Sequence, residues 1–315
     1  MVRLAPAVLV VIAFSIPAAG QSYPERPVRV VTSGAGGGLD VAARLIGPHL
    51  GAGLGQQVVI DNRASGVIPG EIVSKAAPDG HTLLFFGSTF WIGPLIQKAP
   101  YDPVRDFSPI SLTNRAPSLL SVHPSVPARS VGELVALAKA KPGSLNYGTS
   151  GTGAPNHLAG ELFRALAGVD IVRVPYKSSG TAVTALMSGE IQMMFVPAAS
   201  AAPYLKSGRL RALAVTSAEP SPLAPGLPTI AATGLPGYES VSIYAMFAPA
   251  RTPAAVIGRL HREIATVLKR PELRDRLFAM GLESVGGTPQ QLAAVLNAEM
   301  TRLGKLIREA GIRAD

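Results

Sequence analysis

Short apolar runs bounded by Gly, Asp, Asn or Pro alternate with stretches of helical spacing along most of the chain. Residues 28–31 read as a buried strand, a glycine-rich loop covers 33–38, and Val41, Leu45 and Ile46 then recur at helical spacing. Residues 58–60 and 83–86 are the next buried-strand candidates. Strand, helix and strand at this spacing predict parallel pairing, since a parallel connection needs a crossover long enough to hold a helix. Residues 118–122 form a further apolar stretch before Pro124.

The second half repeats the theme. Ser130 with Glu133 predicts a capping box that opens a helix through Leu134, Val135, Leu137 and Ala138, closed by Lys141-Pro142-Gly143. Residues 145–147 read as a short strand, 148–153 as a second glycine loop, and Leu158, Leu162 and Leu166 mark a helix. Strands are expected at 171–174, 191–196, 212–215 and 240–248, while 219–237, crowded with Pro and Gly, reads as loop. The tail is helical. Thr252-Pro253, Pro271 and Thr288-Pro289-Gln290-Gln291 each open a helix, the last with a capping box, and Gly281 and Gly311 suit the left-handed position that ends one.

Two of these segments are alike. Thr32-Ser33-Gly34-Ala35-Gly36 aligns with Thr149-Ser150-Gly151-Thr152-Gly153, and the same offset sets Ala42 on Ala159 and Leu45 on Leu162. The shared order of strand, glycine loop and helix points to two analogous α/β lobes. The first turn of a helix leaves about four backbone N–H groups without partners and carries about half a positive charge. Glycines let a ligand approach that backbone closely, and Ser and Thr hydroxyls add donors. Two such loops on two lobes can hold an anion between them. Glycine also serves tight turns between strand and helix, so at this point both readings stand.

The N-terminus has a different pattern. Arg3 is the only charge in residues 1–20, an apolar stretch runs from Leu4 to Ile16, and Pro17-Ala18-Ala19-Gly20 precede polar Gln21. That is the layout of a secretory signal peptide over 1–20, with cleavage near Gly20, and its apolar stretch falls short of the about 20 residues a membrane span needs. No Cys follows, which excludes a lipoprotein. With no Cys among 315 residues, disulfide scaffolds, thiol nucleophiles, zinc knuckles and iron–sulfur clusters are excluded as well. The chain is basic, Lys+Arg 29 against Asp+Glu 20, yet it has no long run of like charge, and only 5% of its residues are aromatic. Scattered cations with few aromatics count against a nucleic-acid partner and for a mild preference for anionic ligands. No other segment resembles a membrane span, so a periplasmic protein that is not membrane-embedded is expected.

Rival chemistries fail position by position. A dinucleotide fingerprint needs a third glycine where Leu39 or Val41 stands, although Asp61 lies where a ribose-binding acid would. A P-loop from Gly148 needs Lys where Ala154 stands, and a nucleophile elbow around Ser150 needs Gly where Thr152 stands. His49, His81, His123, His157 and His261 show no metal-ligand spacing. No catalytic residue, metal or cofactor is expected. His157, on the first turn of the second loop's helix, is placed either to contact an anion or to pack there.

An ordered series of short motifs resembles a known family. Tyr23-Pro24, Arg26-Pro27, Asp61-Asn62-Arg63, Lys75-Ala76-Ala77-Pro78-Asp79-Gly80 and Tyr101-Asp102-Pro103 with Asp106-Phe107 come first. His157-Leu158-Ala159-Gly160-Glu161-Leu162-Phe163, Val174-Pro175-Tyr176-Lys177 and Leu213-Ala214-Val215-Thr216 follow, then Leu235-Pro236-Gly237-Tyr238 and Ala248-Pro249 with Thr252-Pro253. Together, over residues 23 to 313, they resemble the Bug-type extracytoplasmic solute-binding proteins of tripartite tricarboxylate transporters. The resemblance implies an α/β, two-lobed periplasmic-binding-protein fold (type II-like) with a hinge and an interlobe ligand cleft. It also implies a small carboxylate as ligand and a two-component membrane permease as partner. It places the ligand at residues 33–40 and 149–157, the same pair of loops found above by self-similarity.

Lobe 1 is then expected to take residues 23–122 plus 240–315, and lobe 2 residues 123–239. Backbone donors are expected at Ala35, Gly36, Gly37, Leu39, Gly151, Thr152 and Gly153. Polar side chains are expected from Ser33, Asp40, Ser88, Thr89, Thr149, Ser150, Asn156 and Ser178, with His157 beside them. Asp40 repels a carboxylate, so a role as first-turn acid is its other reading. The sequence departs from the family's pattern at Ser178, where Gly is usual, at Val196-Pro197-Ala198, where an acid often stands, at Ile243, where an aromatic is common, and in the first loop, which lacks prolines. The apolar stretch 196–198 favours a plain or aromatic carboxylate over an amino acid. Two other classes remain open. One is an exported serine hydrolase using Ser150 or another Ser with His157, and the other is a sensor or partner-binding protein on the same fold.

Overall fold

The computed structural model describes residues 23–63 and 66–313. The expected signal peptide lies outside the described residues. The first half contains β1 (Val28–Thr32), α1 (Gly38–Leu54), β2 (Val58–Asn62), α2 (Ile68–Ser74), β3 (Thr82–Gly87), α3 (Thr89–Ile96) and β4 (Phe107–Val122). The middle contains α4 (Val131–Ala140), β5 (Asn146–Thr149), α5 (Pro155–Ala167), β6 (Val172–Pro175), α6 (Ser179–Ser188), β7 (Met193–Pro197), α7 (Ala198–Lys206) and β8 (Arg211–Val215). The chain ends with β9 (Val241–Pro249), α8 (Ala254–Val267), α9 (Pro271–Ala279), β10 (Glu283–Ser284) and α10 (Pro289–Glu309).

The strands form two sheets of one design. The first has the order β2-β1-β3-β9-β4, with β10 on the far side of β4. The second has the order β6-β5-β7-β4-β8. In each, three parallel strands are followed by one antiparallel strand that has just crossed from the other half, and then by a fourth. β1, β2 and β3 therefore correspond to β5, β6 and β7. The two glycine loops occupy equivalent places, each after the first strand and before the first helix. The self-similarity in sequence is thus a self-similarity in topology.

β4 joins the halves. Its residues 107–117 pair with β9, and residues 118–122 pair with β7 and β8. A proline has no N–H to give a ladder, so within sheets it sits at bulges and ends. Pro109 stands at a register shift in the β4–β9 ladder, and Pro117 is the last residue of that ladder. The return crossing lies beside the first. The N–H of Ser118 donates to Thr216 Oγ1 at 2.9 Å, the N–H of Thr216 donates to the Ser118 carbonyl at 2.9 Å, and the N–H of Ser240 donates to the Thr216 carbonyl at 2.9 Å. These three residues stitch the two crossing segments into the hinge.

Local chemistry sets the helix starts. Ser130 Oγ accepts from the Glu133 N–H at 3.2 Å, but the Glu133 carboxylate turns back to the Arg129 N–H at 2.7 Å, so the expected box is only half formed. The Thr288–Gln291 box is complete. Gly281 (φ +76°) and Gly311 (φ +64°) hold left-handed positions after α9 and α10. The first core packs Val28, Val30, Leu83 and Phe85 against Ala42, Ile46 and Leu50 of α1 and Leu260 and Ile264 of α8. α10 rests on α3 and β4 and reaches α5, so its Leu296 and Leu303 belong to a core that runs across both halves. Among the described residues no helix is long and apolar enough to cross a membrane.

Candidate functional site

The first glycine loop is braced by an acid. Asp40 is 4% exposed. Its Oδ2 accepts from the Gly36 N–H at 2.9 Å, and its Oδ1 accepts from Arg44 Nε at 2.8 Å and Asn62 Nδ2 at 2.8 Å. Burial opposes its ionisation, but the bonds from Gly36, Asn62 and the Arg44 guanidinium outweigh it and hold its pKa below the ordinary value. Asn62 Nδ2 also reaches the Ser33 carbonyl at 2.8 Å, which ties the start of the loop to β2.

The second loop is braced by an imidazole and an amide. The Gly153 N–H donates to His157 Nδ1 at 3.0 Å. Burial of His157, and next the charge of Arg173, lowers its pKa to about 4. The ring is therefore neutral at ordinary pH, with its proton on Nε2. Asn156 Oδ1 accepts from both the N–H and the Oγ of Ser150 at 3.2 Å. The N–H groups of Gly151 and Thr152 meet no acceptor among the described residues.

A cleft lies between the loops in two compartments that meet at Ser150. The inner one, 190 Å³, is floored by Ala116 and Ser118 of β4 and Ser242 and Tyr244 of β9. Four helices open into it by their first turns: α1 at Gly38, α5 at Pro155 and Asn156, α6 at Ser179, and α7 at Ala199 and Ser200. Tyr244 Oη sits over the start of α1, where a Cβ on Gly38 would lie 3.0 Å from it. Burial raises the Tyr244 pKa, so the hydroxyl keeps its proton and stays a donor. The outer compartment, 380 Å³, lies between Ser33, Leu39, Phe86, Thr89 and Ile96 on one side and residues 150–154 on the other. Among the described residues no charged side chain lines either compartment.

The expected site residues divide into two groups. Ser33, Leu39, Thr89, Ser150, Gly151, Thr152, Gly153 and Asn156 line the cleft. Ala35, Gly36 and Gly37 lie in the exposed bend before α1, outside both compartments. Asp40 and His157 act as loop braces from behind. Thr149 is fully buried and accepts from Arg173, and Ser88 begins α3 beside a separate small cavity. Ser178 caps α6, and it is the next residue, Ser179, that lines the inner compartment. Ser150 donates to Asn156 and His157 accepts from Gly153, so no Ser150–His157 hydrogen bond is made.

Sequence reasoning placed Gly38 in the ligand segment 33–40 without singling it out, and it missed Ser118, Ser179, Ser200, Ser242 and Tyr244. The signal for the strand residues was present in part, because alternation in 240–248 sets Ser242 and Tyr244 on one face. It did not say that this face floors the cleft.

The family model for the tripartite tricarboxylate transporter family receptor matches residues 42–312. The chain belongs to this receptor family. BugT of Bordetella pertussis (strain Tohama I) is 33% identical over 303 residues, which cover 94% of this chain and 93% of that protein. A solved structure of R. palustris Rpa4515 with adipate is 36% identical, covers 93% of this chain and 100% of that one, and has a TM-score of 0.77. MatC from Rhodopseudomonas palustris with bound malate is 29% identical, covers 90% of this chain and 100% of that one, and has a TM-score of 0.72. The receptor shares their two-lobed α/β fold, and the Bug-type resemblance read from its motifs holds.

Proposed function

We propose that this receptor captures a small organic carboxylate in the periplasm and delivers it to a two-component membrane permease. One observation carries the reading. Four helix first turns and the hydroxyls of Ser118, Ser179, Ser200, Ser242 and Tyr244 converge on a cavity with no charged side chain in its wall among the described residues. Unpaired N–H groups and about half a positive charge at each helix start favour an anion. An ammonium group would meet no carboxylate there among the described residues. The likeness to proteins solved with adipate and malate supports a carboxylate in particular.

On this reading residues 1–20 are removed on export. Residues 23–122 plus 240–315 form one lobe, 123–239 form the other, and ligand closes them about the Ser118–Thr216–Ser240 stitch. No bond is made or broken. Thermal unfolding with acetate, malate, adipate, benzoate, glutamate and putrescine tests it. A carboxylate at 100 times its Kd adds about 2.7 kcal/mol of stability. A rise in Tm for putrescine alone, or turnover of any of the six, overturns the proposal.

A further inference from the structure

The two loops treat their nearest cation differently. In the first, Arg44 is paired with the Asp40 carboxylate at 2.8 Å. In the second, Arg173 on β6 stands opposite Tyr147 of β5 and reaches along the strand ends. Its Nε donates to Thr149 Oγ1 at 3.2 Å, and its Nη2 donates to Thr152 Oγ1 at 3.0 Å. No carboxylate pairs with Arg173 among the described residues. Glu161, which shares its neighbourhood around His157, is taken by Arg164 at 2.6 Å and by the Tyr147 hydroxyl at 2.5 Å.

A guanidinium has five donors and no acceptor. Both threonine oxygens must therefore accept from it, which leaves each hydroxyl proton free to donate elsewhere. Neither hydroxyl donates to a protein acceptor among the described residues. Thr149 is sealed behind the loop, but Thr152 lines the outer compartment, next to the free N–H groups of Gly151 and Thr152. Arg173 is half-buried, has no carboxylate partner among the described residues and is forked onto two hydroxyls, one of them in an uncharged wall, so an anion on the other side of that wall would be drawn to it.

We propose that Arg173 is a positioning residue for the bound anion: it holds the Thr152 hydroxyl by its oxygen, turns the O–H toward the cleft, and lends its charge through that bond. This rests on the reading that the cleft binds a carboxylate. Arg suits the role better than Lys, because a planar fork can hold both oxygens at once.

The test uses calorimetric titration of the full mature protein with acetate, malate, adipate and benzoate, and with the amide of each acid that binds. Arg173→Gln weakens binding of the acid at least tenfold and leaves the amide within twofold. Arg173→Lys recovers part of the loss, since it keeps the charge without the fork. Thr152→Val alone weakens the acid severalfold, and adding it to Arg173→Gln brings no further loss. If Arg173→Gln does not fold, Arg173→Lys and Thr152→Val carry the same acid-against-amide comparison. Acid binding within twofold of wild type in these variants overturns the proposal, and so does an equal loss for acid and amide, which marks a merely structural role. If no acid binds the wild type, the carboxylate reading itself fails and this inference with it. If acids bind and the variants are unchanged, only the inference fails.

Discussion

Gly153 of the second loop faces Ile96 at the end of α3 across the cleft, so closely that a Cβ on it would lie 2.6 Å from Ile96 Cδ1. Gly153 also has φ +73°, a left-handed backbone that costs other residues about 1–2 kcal/mol. Gly153→Ala therefore strains its own loop and presses on the tip of the Ile96 side chain, which has to turn away within the cleft. Gly168, with φ +59° at the end of α5 and open space around it, suffers the first effect alone. Both variants are expected to lose similar stability, but only Gly153→Ala loses tenfold or more in carboxylate affinity. Ile96→Ala restores part of that loss. Equal affinity in the two glycine variants, measured by calorimetry, would show that the Ile96 contact does not govern closure.

Ser150 and Asn156 share one hydrogen-bond network at the join of the two compartments. The Ser150 hydroxyl is already spent on Asn156 Oδ1, and Asn156 Nδ2 reaches the Ser179 hydroxyl at 3.4 Å. Ser150→Ala removes one bond and is expected to cost about 0.5–1.5 kcal/mol of binding. Asn156→Ala releases the Ser150 N–H, the Ser150 hydroxyl and the Ser179 hydroxyl together, so it is expected to cost more. Titrations of both variants rank them, and a larger loss for Ser150→Ala would mean that its hydroxyl turns to the ligand instead.

Much of the fold was legible because each glycine loop follows an apolar strand and precedes a periodic helix, a pattern that local chemistry imposes. The first two-thirds of β4 were not legible. Residues 107–117 carry two prolines and the polar Ser108, Ser111, Thr113 and Asn114, which read as loop until the bulges and the β9 ladder are seen. α6 and α7 escaped for another reason: Ala, Ser and Thr at most positions leave no apolar stripe to count. The glycines marked both loops of the cleft, but within the first loop they pointed to Ala35, Gly36 and Gly37, which lie outside it, while Ser33 and Leu39 line it. Tyr244 and Ser242 could not be found this way, because their role depends on β9 lying between β3 and β4, a pairing far apart in sequence.

His157 makes the second loop sensitive to acid. Its pKa is lowered to about 4, first by burial, which disfavours the imidazolium, and next by Arg173. An unfolded chain takes up that proton near pH 6.5, while the folded one resists until about pH 4. The contribution to stability is whole above pH 6.5 and is lost as pH falls toward 4, by at most about 1.4 kcal/mol per unit. Once protonated, Nδ1 can no longer accept from Gly153, so the loop opens. Proton NMR of the ring is expected to show this low titration. In Arg173→Gln the value rises, because one of the causes that lower it, beside burial and the charge of Arg164, is gone. A wild-type His157 titrating at 6 or above would contradict the assignment of Nδ1 as an acceptor.

Glu299 runs in the opposite direction. It is 8% exposed on α10, and its Oε2 accepts from Trp91 Nε1 of α3 at 2.9 Å. Burial pushes its pKa up to about 7 against the bond from Trp91 and the charge of Arg302, whose Nη2 lies 3.9 Å from Oε1. Glu239 on the return crossing adds to the rise, and Arg115 on β4 opposes it. The folded state therefore binds a proton between about pH 4.5 and 7 that the unfolded state has released. Stability from this site is whole at low pH and falls as pH climbs to about 7, with a slope of at most about 1.4 kcal/mol per unit. Glu299→Gln keeps an oxygen for Trp91 but carries no charge to bury. It is expected to be more stable than wild type at pH 8, with the gap closing at pH 5. Urea unfolding at the two pH values decides it. A Gln variant that is less stable at both would mean that the ionised carboxylate, paired with Arg302, holds α10 in place.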